Sequence, residues 1–466
     1  MAHLPPVQTD RASPIPLVGQ IGEDIAQRIH TGVIRRGERL PSIRRMARAC
    51  GVSTLTIANT YLRLAAAGLV ESRGTRGYFV ITPPRTAPLI QRSIDSMWLL
   101  QHAYEDEAPI IKAGCGWLPP DMLFASATRR ALAAIPEARL TAMLEYGNPY
   151  GHAGLRHNIR QMLARRDIAC EDSNIIMTHG ASQGLELAVR CLSTRGDMIL
   201  VEDPGYCNLY PALQALGLQI ASVPRLPDGP CPHELERMLR QHRPRLFITT
   251  SILHNPTGTC STTRNMRQIL RLARQHDLTI IEDDIFLDLA PQGQQTLSQL
   301  GGLEQVIHIG SFSKTIGPGL RVGYVACAAP TAQRILRQKM ASNLTTAPLN
   351  EEIVHTIVSS GLYRPHLANL RENLMRAQTQ VCAWLEQAGM RLYFHPLGGM
   401  FAWARFGYDM DVRALAERAC QHDIMLAPGH LFRPDGQPSQ WFRFNVAHAD
   451  DKRLFAFIKN TARRME

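Results

Sequence analysis

Isoleucines recur every four residues near the start of the chain, at Ile21, Ile25 and Ile29. One apolar stripe at that spacing predicts an amphipathic helix over about Gly19–Thr31. The segment from Arg36 to Ser42 turns the chain into a second helix, Ile43 to Cys50, for which Ser42 is the natural N-cap. Gly51-Val52-Ser53 then makes a tight turn into a third helix that begins at Ser53 or Thr54. Two short runs, Leu69 to Ser72 and Tyr78 to Ile81, flank a glycine- and arginine-bearing tip and predict a β-hairpin.

The pattern breaks at Thr82-Pro83-Pro84-Arg85-Thr86-Ala87-Pro88. Residues 82–108 read as a linker with a helix within it near Ile90 to Tyr104. From Pro109 onward, short apolar runs alternate with helical periods. The runs are Ile175–Thr178, Met198–Val201, Leu246–Thr249, Leu278–Ile281 and Gln305–Ile309. Runs of that length, apolar on both faces, predict a mainly parallel sheet covered on both sides, and hence an α/β body. Such sheets place their ligands at the carboxyl ends of the strands.

At 466 residues the chain suits two or three domains. No apolar run approaches the roughly 20 residues of a membrane span. The first residues, MAHLPPVQTDRASP, lack the apolar region of a secretory signal. The ten cysteines include no C-x-x-C pair, so neither a zinc site nor a disulfide framework follows. A cytoplasmic, membrane-free protein is expected.

Charge changes the picture more. Residues 1–85 carry twelve arginines against five acids, so +7 of the net +11 falls in under a fifth of the chain. A polyanion is therefore the expected partner of the head, since neutralising phosphates releases counterions.

The string from Gly37-Glu38-Arg39-Leu40-Pro41-Ser42-Ile43-Arg44 through Val52-Ser53 to Gly68-Leu69-Val70-Glu71 resembles the GntR winged helix-turn-helix head. The resemblance covers about 65 residues and implies binding to double-stranded DNA. Arg44 and the wing's Arg73 would contact phosphates or bases, while Ser53, Thr54 and Thr56 would face the groove. Thr54 stands where that family often carries an arginine.

Candidate chemistry in the body centres on Gly310-Ser311-Phe312-Ser313-Lys314-Thr315-Ile316-Gly317-Pro318-Gly319-Leu320-Arg321-Val322-Gly323. Lys314 is one of only five lysines, and a lysine amine held at low pKa forms Schiff bases with aldehydes. The nearby serines and Arg321 suit phosphate oxygens. His179-Gly180-Ala181-Ser182 follows a strand and opens a helix, a natural anion seat. Tyr206 after a strand can stack on a flat ring, and Asn255 in Asn255-Pro256-Thr257-Gly258 can bond a phenolic oxygen. Glu282-Asp283-Asp284 ends a strand with carboxylates, one of which could keep a pyridine nitrogen protonated.

Together these segments resemble a fold-type I enzyme of the class I aminotransferases that uses pyridoxal 5'-phosphate. Joined to the head, the whole chain resembles the MocR subgroup of regulators. The resemblance implies a winged helix-turn-helix domain over 1–81, a linker over 82–108 and an aminotransferase-like domain over 109–466. That last part would split into a large domain at about 150–345 and a smaller α+β domain formed by the C-terminal part with the N-terminal arm. Lys314 would carry the cofactor, Asp283 would face the pyridine nitrogen, Asn255 the ring oxygen and Tyr206 the ring. Ala181, Ser182, Ser311, Ser313 and Arg321 would hold the phosphate, with Tyr146 reaching that of the partner in a head-to-tail homodimer. Arg443 would clamp the carboxylate of a substrate or effector.

One departure bears on activity. Family enzymes usually have a tyrosine three residues past the pyridine-binding aspartate, and this chain has Phe286. The expected function is a transcription regulator that senses an amine, an amino acid or the cofactor itself by aldimine exchange. The alternative is a working aminotransferase with an accessory head.

Overall fold

The computed structural model describes residues 16–30, 33–34, 37–66, 69–81 and 110–463. The chain divides into two compact units, Met1–Ser93 and Ile94–Glu466. The expected linker helix at Ile90–Tyr104 lies outside the described residues.

In the first unit, α1 (Leu17–His30) starts two residues earlier than the periodicity predicts and buries Ile21, Ile25 and Ile29 completely. It packs on α2 (Ile43–Cys50) and α3 (Thr54–Ala66) around Ile57, Tyr61, Leu64 and Met46. Ser42 caps α2, its Oγ accepting from the Arg45 amide at 3.3 Å, and Gly51 ends that helix in the left-handed conformation at φ 62. The hairpin pairs β1 (Val70–Ser72) with β2 (Tyr78–Val80), Val70 opposite Val80. Tyr61 ties the hairpin to the helices, its ring edge-on to Tyr78 at 5.1 Å and its hydroxyl donating to the Pro41 carbonyl at 2.9 Å.

The second unit is built on an eight-stranded sheet in the order β3-β10-β9-β8-β7-β4-β5-β6. These strands are β3 (Ile175–Thr178), β4 (Met198–Asp203), β5 (Gln219–Leu226), β6 (Gly229–Pro230), β7 (Leu246–Thr249), β8 (Thr279–Asp283), β9 (Val306–Ser311) and β10 (Gly323–Ala326). The pairs β4–β5, β4–β7, β7–β8 and β8–β9 are parallel, while β10 runs antiparallel to β3 and β9, and β6 antiparallel to β5. The sheet is thus mainly parallel, and β3, β7 and β10 are buried throughout. That burial on both faces explains why the apolar runs show no alternation.

A second sheet, antiparallel and in the order β11-β12-β14-β13, gathers β11 (Met390–Leu392), β12 (Phe401–Phe406), β13 (Ala427–Pro428) and β14 (Trp441–Asn445). Its core includes Trp403, Phe442 and Phe444 and extends to Ile111, Ala113, Cys115 and Leu118. Backbone bonds hold that early segment in place, from the Gly114 amide to the Met425 carbonyl at 2.7 Å and from the Asn445 amide to the Ala113 carbonyl at 2.6 Å. Gly114 permits the approach, because a Cβ there would lie 2.4 Å from the Ala427 nitrogen. Among the described residues no helix is long and apolar enough to cross a membrane.

Candidate functional site

Parallel strands deliver their carboxyl ends to one edge of the sheet, and the chemistry collects there. Tyr206 follows β4, Asn255 follows β7, Asp283 ends β8 and Ser311 ends β9. Ala181 and Ser182 lie just after β3 in the first turn of the helix Gly180–Leu192, and Arg321 precedes the antiparallel β10. With Gly116, Trp117, Phe286, Ser313, Lys314 and Arg443, most of these side chains line one cavity of about 690 Å³.

Lys314 donates from Nζ to the Gly116 carbonyl at 2.7 Å. Burial holds its ammonium down to about 8, with Cys115 and Asp283 opposing and the Arg443 and Arg321 charges reinforcing the shift. A fraction of the neutral, nucleophilic amine therefore exists near neutral pH.

Three adjacent acids end up in different surroundings because a strand alternates its faces. Glu282 points away from the cavity and accepts from the Leu297 and Ser298 amides, both at 2.8 Å, and from the Ser251 and Ser298 hydroxyls. Asp284 lies near His308 on that same side, its Oδ2 at 3.7 Å from Nδ1. Asp283 does not line the cavity, but it lies close enough to Lys314 for their charges to interact. It is 6% exposed, and its Oδ1 has no hydrogen-bond partner. Burial pushes its carboxyl up to about 6, the Ile285 amide and Lys314 pulling the other way. A buried, half-satisfied carboxylate calls for a cationic N–H donor.

Arg443 is 2% exposed. It donates from Nη1 to Asn255 Oδ1 at 2.8 Å and from Nη2 to the Gly114 carbonyl at 2.6 Å, and Nε finds no partner. Its guanidinium sits over the rings of Phe401 and Phe432 at 4.7 and 4.6 Å. No carboxylate pairs with this buried cation among the described residues. Burial lowers its pKa, so the site favours an anion that restores the pairing.

Opposite, Ser311 Oγ accepts from the Ser313 amide at 3.2 Å and donates to the Ser313 hydroxyl at 3.0 Å. Arg321 donates to the His179 carbonyl at 3.0 Å and crowds Gly180, where a Cβ would meet its Nη2 at 2.7 Å. Glycine at φ +75 thus leaves room for the guanidinium beside the helix N-terminus. Ala181, Ser182, Ser311, Ser313 and Arg321 all line the cavity, where hydroxyls, a guanidinium and a helix N-terminus together could hold an anion. Burial pushes the Tyr206 phenol up to about 12, which keeps it protonated, and Asn208 donates to its oxygen at 3.3 Å. Phe286 presents its ring 5.9 Å from Lys314 Nζ and brings no hydroxyl. Tyr146 lies away from the cavity and is 84% exposed.

Sequence reasoning missed what braces the Asn255 turn. Arg225 on β5 and Glu202 on β4 form a buried ion pair at 2.9 Å. Arg225 also donates to the Thr250 carbonyl at 2.7 Å and to Thr259 Oγ1 at 3.1 Å, while Glu202 accepts from the Thr250 amide at 2.8 Å. Arg225 falls inside an ordinary strand pattern, so nothing local signals this role. Asn208 was missed as well, although it stands two residues beyond Tyr206.

In the first unit, Arg44, Thr54 and Arg73 are exposed. Arg73 pairs with Glu71 and lies over the Phe79 ring at 4.7 Å. Ser53 is exposed and Thr56 half-buried. Their hydroxyls bond each other at 2.8 Å, and Ser53 Oγ accepts from the Thr56 amide at 3.0 Å, capping α3. Capping competes with groove contacts for the same oxygens.

The chain matches the family model for aminotransferase class I and II over residues 121–459 and that for bacterial regulatory proteins of the gntR family over residues 17–80. It is 28% identical to the uncharacterized HTH-type transcriptional regulator YisV of Bacillus subtilis, across 98% of both chains. It is 26% identical to the probable rhizopine catabolism regulatory protein MocR of Rhizobium meliloti, over 78% of this chain and 76% of that one. Among solved structures it resembles LysN, the alpha-aminoadipate aminotransferase of Thermus thermophilus, complexed with N-(5'-phosphopyridoxyl)-L-leucine. That likeness has a TM-score of 0.71 at 23% identity and covers 77% of this chain and 94% of that one.

Proposed function

The chain belongs to the aminotransferase class I and II family and joins that fold to a gntR-type helix-turn-helix head, the architecture of MocR-type regulators, and from that premise we propose that its body holds pyridoxal 5'-phosphate and senses an amine or amino acid. The observation that carries this reading is the cavity itself. One space joins a low-pKa lysine, an anion seat and a buried unpaired arginine, with a half-satisfied carboxylate beside the lysine.

The residues fit the cofactor. Asp283 would meet the pyridine nitrogen, Asn255 the ring oxygen, Tyr206 the ring, and Ala181, Ser182, Ser311, Ser313 and Arg321 the phosphate. When bound, the cofactor supplies an aldehyde and an electron-withdrawing ring. Lys314 provides the amine that holds it, and Arg443 orients an effector through its carboxylate.

Asn255 lies in the eight-stranded half of the body and Arg443 on the antiparallel sheet. An effector held from both sides would favour one arrangement of the two. Regulation requires that arrangement to bind DNA with different affinity, and the coupling is reciprocal. A head-to-tail homodimer is part of the reading, with Tyr146 reaching a second copy's phosphate seat. The exposure of Leu140, Leu144 and Tyr146 together supports a covered surface there. Paired heads would address paired half-sites.

Turnover as an aminotransferase is the second reading, favoured by the presence of Lys314, Asp283 and Arg443 in one site. Phe286 argues against it, since a donor to the ring oxygen is lost. The test is to titrate a panel of amines and amino acids while following both the cofactor's visible spectrum and affinity for duplex DNA. An effector that shifts both without sustained keto-acid formation supports regulation. Sustained product with unchanged DNA affinity supports the enzyme.

A further inference from the structure

Helix α3 opens with an exposed stripe made by Thr54, Leu55, Ala58 and Asn59, of which Ala58 is half-buried and the others exposed. Leu55 is 69% exposed, so the core does not require a leucine there. Ser53 and Thr56, the other polar groups at this end, are bonded to each other. The stripe therefore offers a hydroxyl, an isobutyl group, a methyl group and a carboxamide, and no charged side chain. Around it stand exposed arginines, Arg44 and Arg48 on α2, Arg63 further along α3 and Arg76 on the hairpin tip. None of these four makes an ion pair among the described residues.

We infer that the first two turns of α3 read A·T base pairs in the major groove, Leu55 packing on a thymine methyl and Asn59 bonding an adenine edge. This rests on the DNA-binding reading of the head. The bidentate and methyl contacts that the stripe can make select among the bases, while the Thr54 hydroxyl is neutral between them. Guanine is read by the fork or ammonium of arginine or lysine at O6 and N7, and cytosine by a carboxylate at N4. Neither group is present. Adenine's N6 and N7 match a carboxamide's acceptor and donor, and thymine alone presents a methyl. Residues at the N-terminal end of the second helix of such a motif contact base edges, while flanking basic side chains hold the phosphates. One helical turn separates Leu55 from Asn59 by about 6 Å, so the two bases lie about two steps apart.

The experiment uses the full chain. Duplexes selected from a random pool give the preferred half-site, and binding is then measured with single thymines replaced by deoxyuridine, which lacks only the methyl. Single adenines are replaced by 7-deazaadenine, which lacks the N7 acceptor. The half-site core is expected to contain a thymine and an adenine about two steps apart. Deoxyuridine at that thymine should weaken binding about fourfold, and 7-deazaadenine at that adenine about tenfold. Leu55→Ala should bind thymine and deoxyuridine equally, and Asn59→Ala should ignore the 7-deaza change. Leu62→Ala, two turns along the same stripe, should keep both sensitivities. All three residues are exposed, and thermal melts check that the variants stay folded. A G·C core, or persistent deoxyuridine sensitivity in Leu55→Ala, overturns the inference while leaving DNA binding intact. Absence of salt-dependent affinity for any duplex overturns the DNA-binding reading itself.

Discussion

Arg443 Nη1 donates to Asn255 Oδ1 at 2.8 Å, joining a strand of the antiparallel sheet to the turn after β7. The bond orients the amide. With Oδ1 occupied by the guanidinium, Asn255 Nδ2 is the atom left to donate to a ring oxygen. One arginine thereby sets the asparagine, and in the proposed reading its remaining donors would serve a carboxylate.

Arg443→Lys should weaken binding of amino acids at least tenfold and affect their decarboxylated amines far less, because a point charge cannot fork both partners. Paired titrations of an amino acid and its amine check this, and equal losses would remove the carboxylate role. Arg443→Ala should also cost about 1–3 kcal/mol of stability, since Asn255 Oδ1 and the Gly114 carbonyl lose their donor.

Lys314 should react with a free aldehyde as a group titrating near 8. Burial disfavours its ammonium, so the neutral amine accumulates as pH rises through that value. Stopped-flow capture of pyridoxal 5'-phosphate is expected to accelerate with pH and level off just above 8. An ordinary lysine would keep accelerating toward about 10.4.

Asp283→Asn separates stability from ligand binding. The folded-state pKa of Asp283 is raised to about 6, so folding favours its protonated form. Its contribution is present below the ordinary carboxylate range and is lost as pH rises to about 6. At pH 7 without cofactor, Asn should therefore stabilise by on the order of 1–3 kcal/mol. Melting temperatures with and without pyridoxal 5'-phosphate test this. The variant should melt higher alone and gain less from the ligand.

Arg44→Ala should flatten the salt dependence of DNA binding by about 0.9 in log–log slope, the signature of one lost phosphate contact. Binding isotherms at several salt concentrations decide it, and an unchanged slope would leave Arg44 without that contact.

Local chemistry was legible in the sequence because neighbours in the chain remain neighbours in the loop. Ser311, Ser313, Lys314 and Arg321 fall within eleven residues, and both the apolar strand runs and the Ile21–Ile25–Ile29 stripe lie where periodicity puts them. Contacts across long separations were not. Sequence alone proposed a carboxylate partner for Arg443 but no bond to Asn255, 188 residues away. The Glu202–Arg225 pair depends on the register of two parallel strands. Distinguishing Asp283 from Glu282 and Asp284 by geometry requires knowing which face of β8 carries the Ser251 and Ser298 bonds that engage Glu282. Ser53 and Thr56 resemble groove-facing groups in sequence, and only helix geometry shows their hydroxyls turned to each other.

The most direct measurement is to incubate the protein with pyridoxal 5'-phosphate, reduce with borohydride, digest it and map the pyridoxyl-lysine by mass spectrometry. Lys339 is an internal control, since burial holds it down to about 8 too, yet it donates to the Pro149 carbonyl away from the cavity. One label per chain is expected, on Lys314, and none after Lys314→Ala. A label on Lys339, or none at all on folded protein, would contradict that assignment.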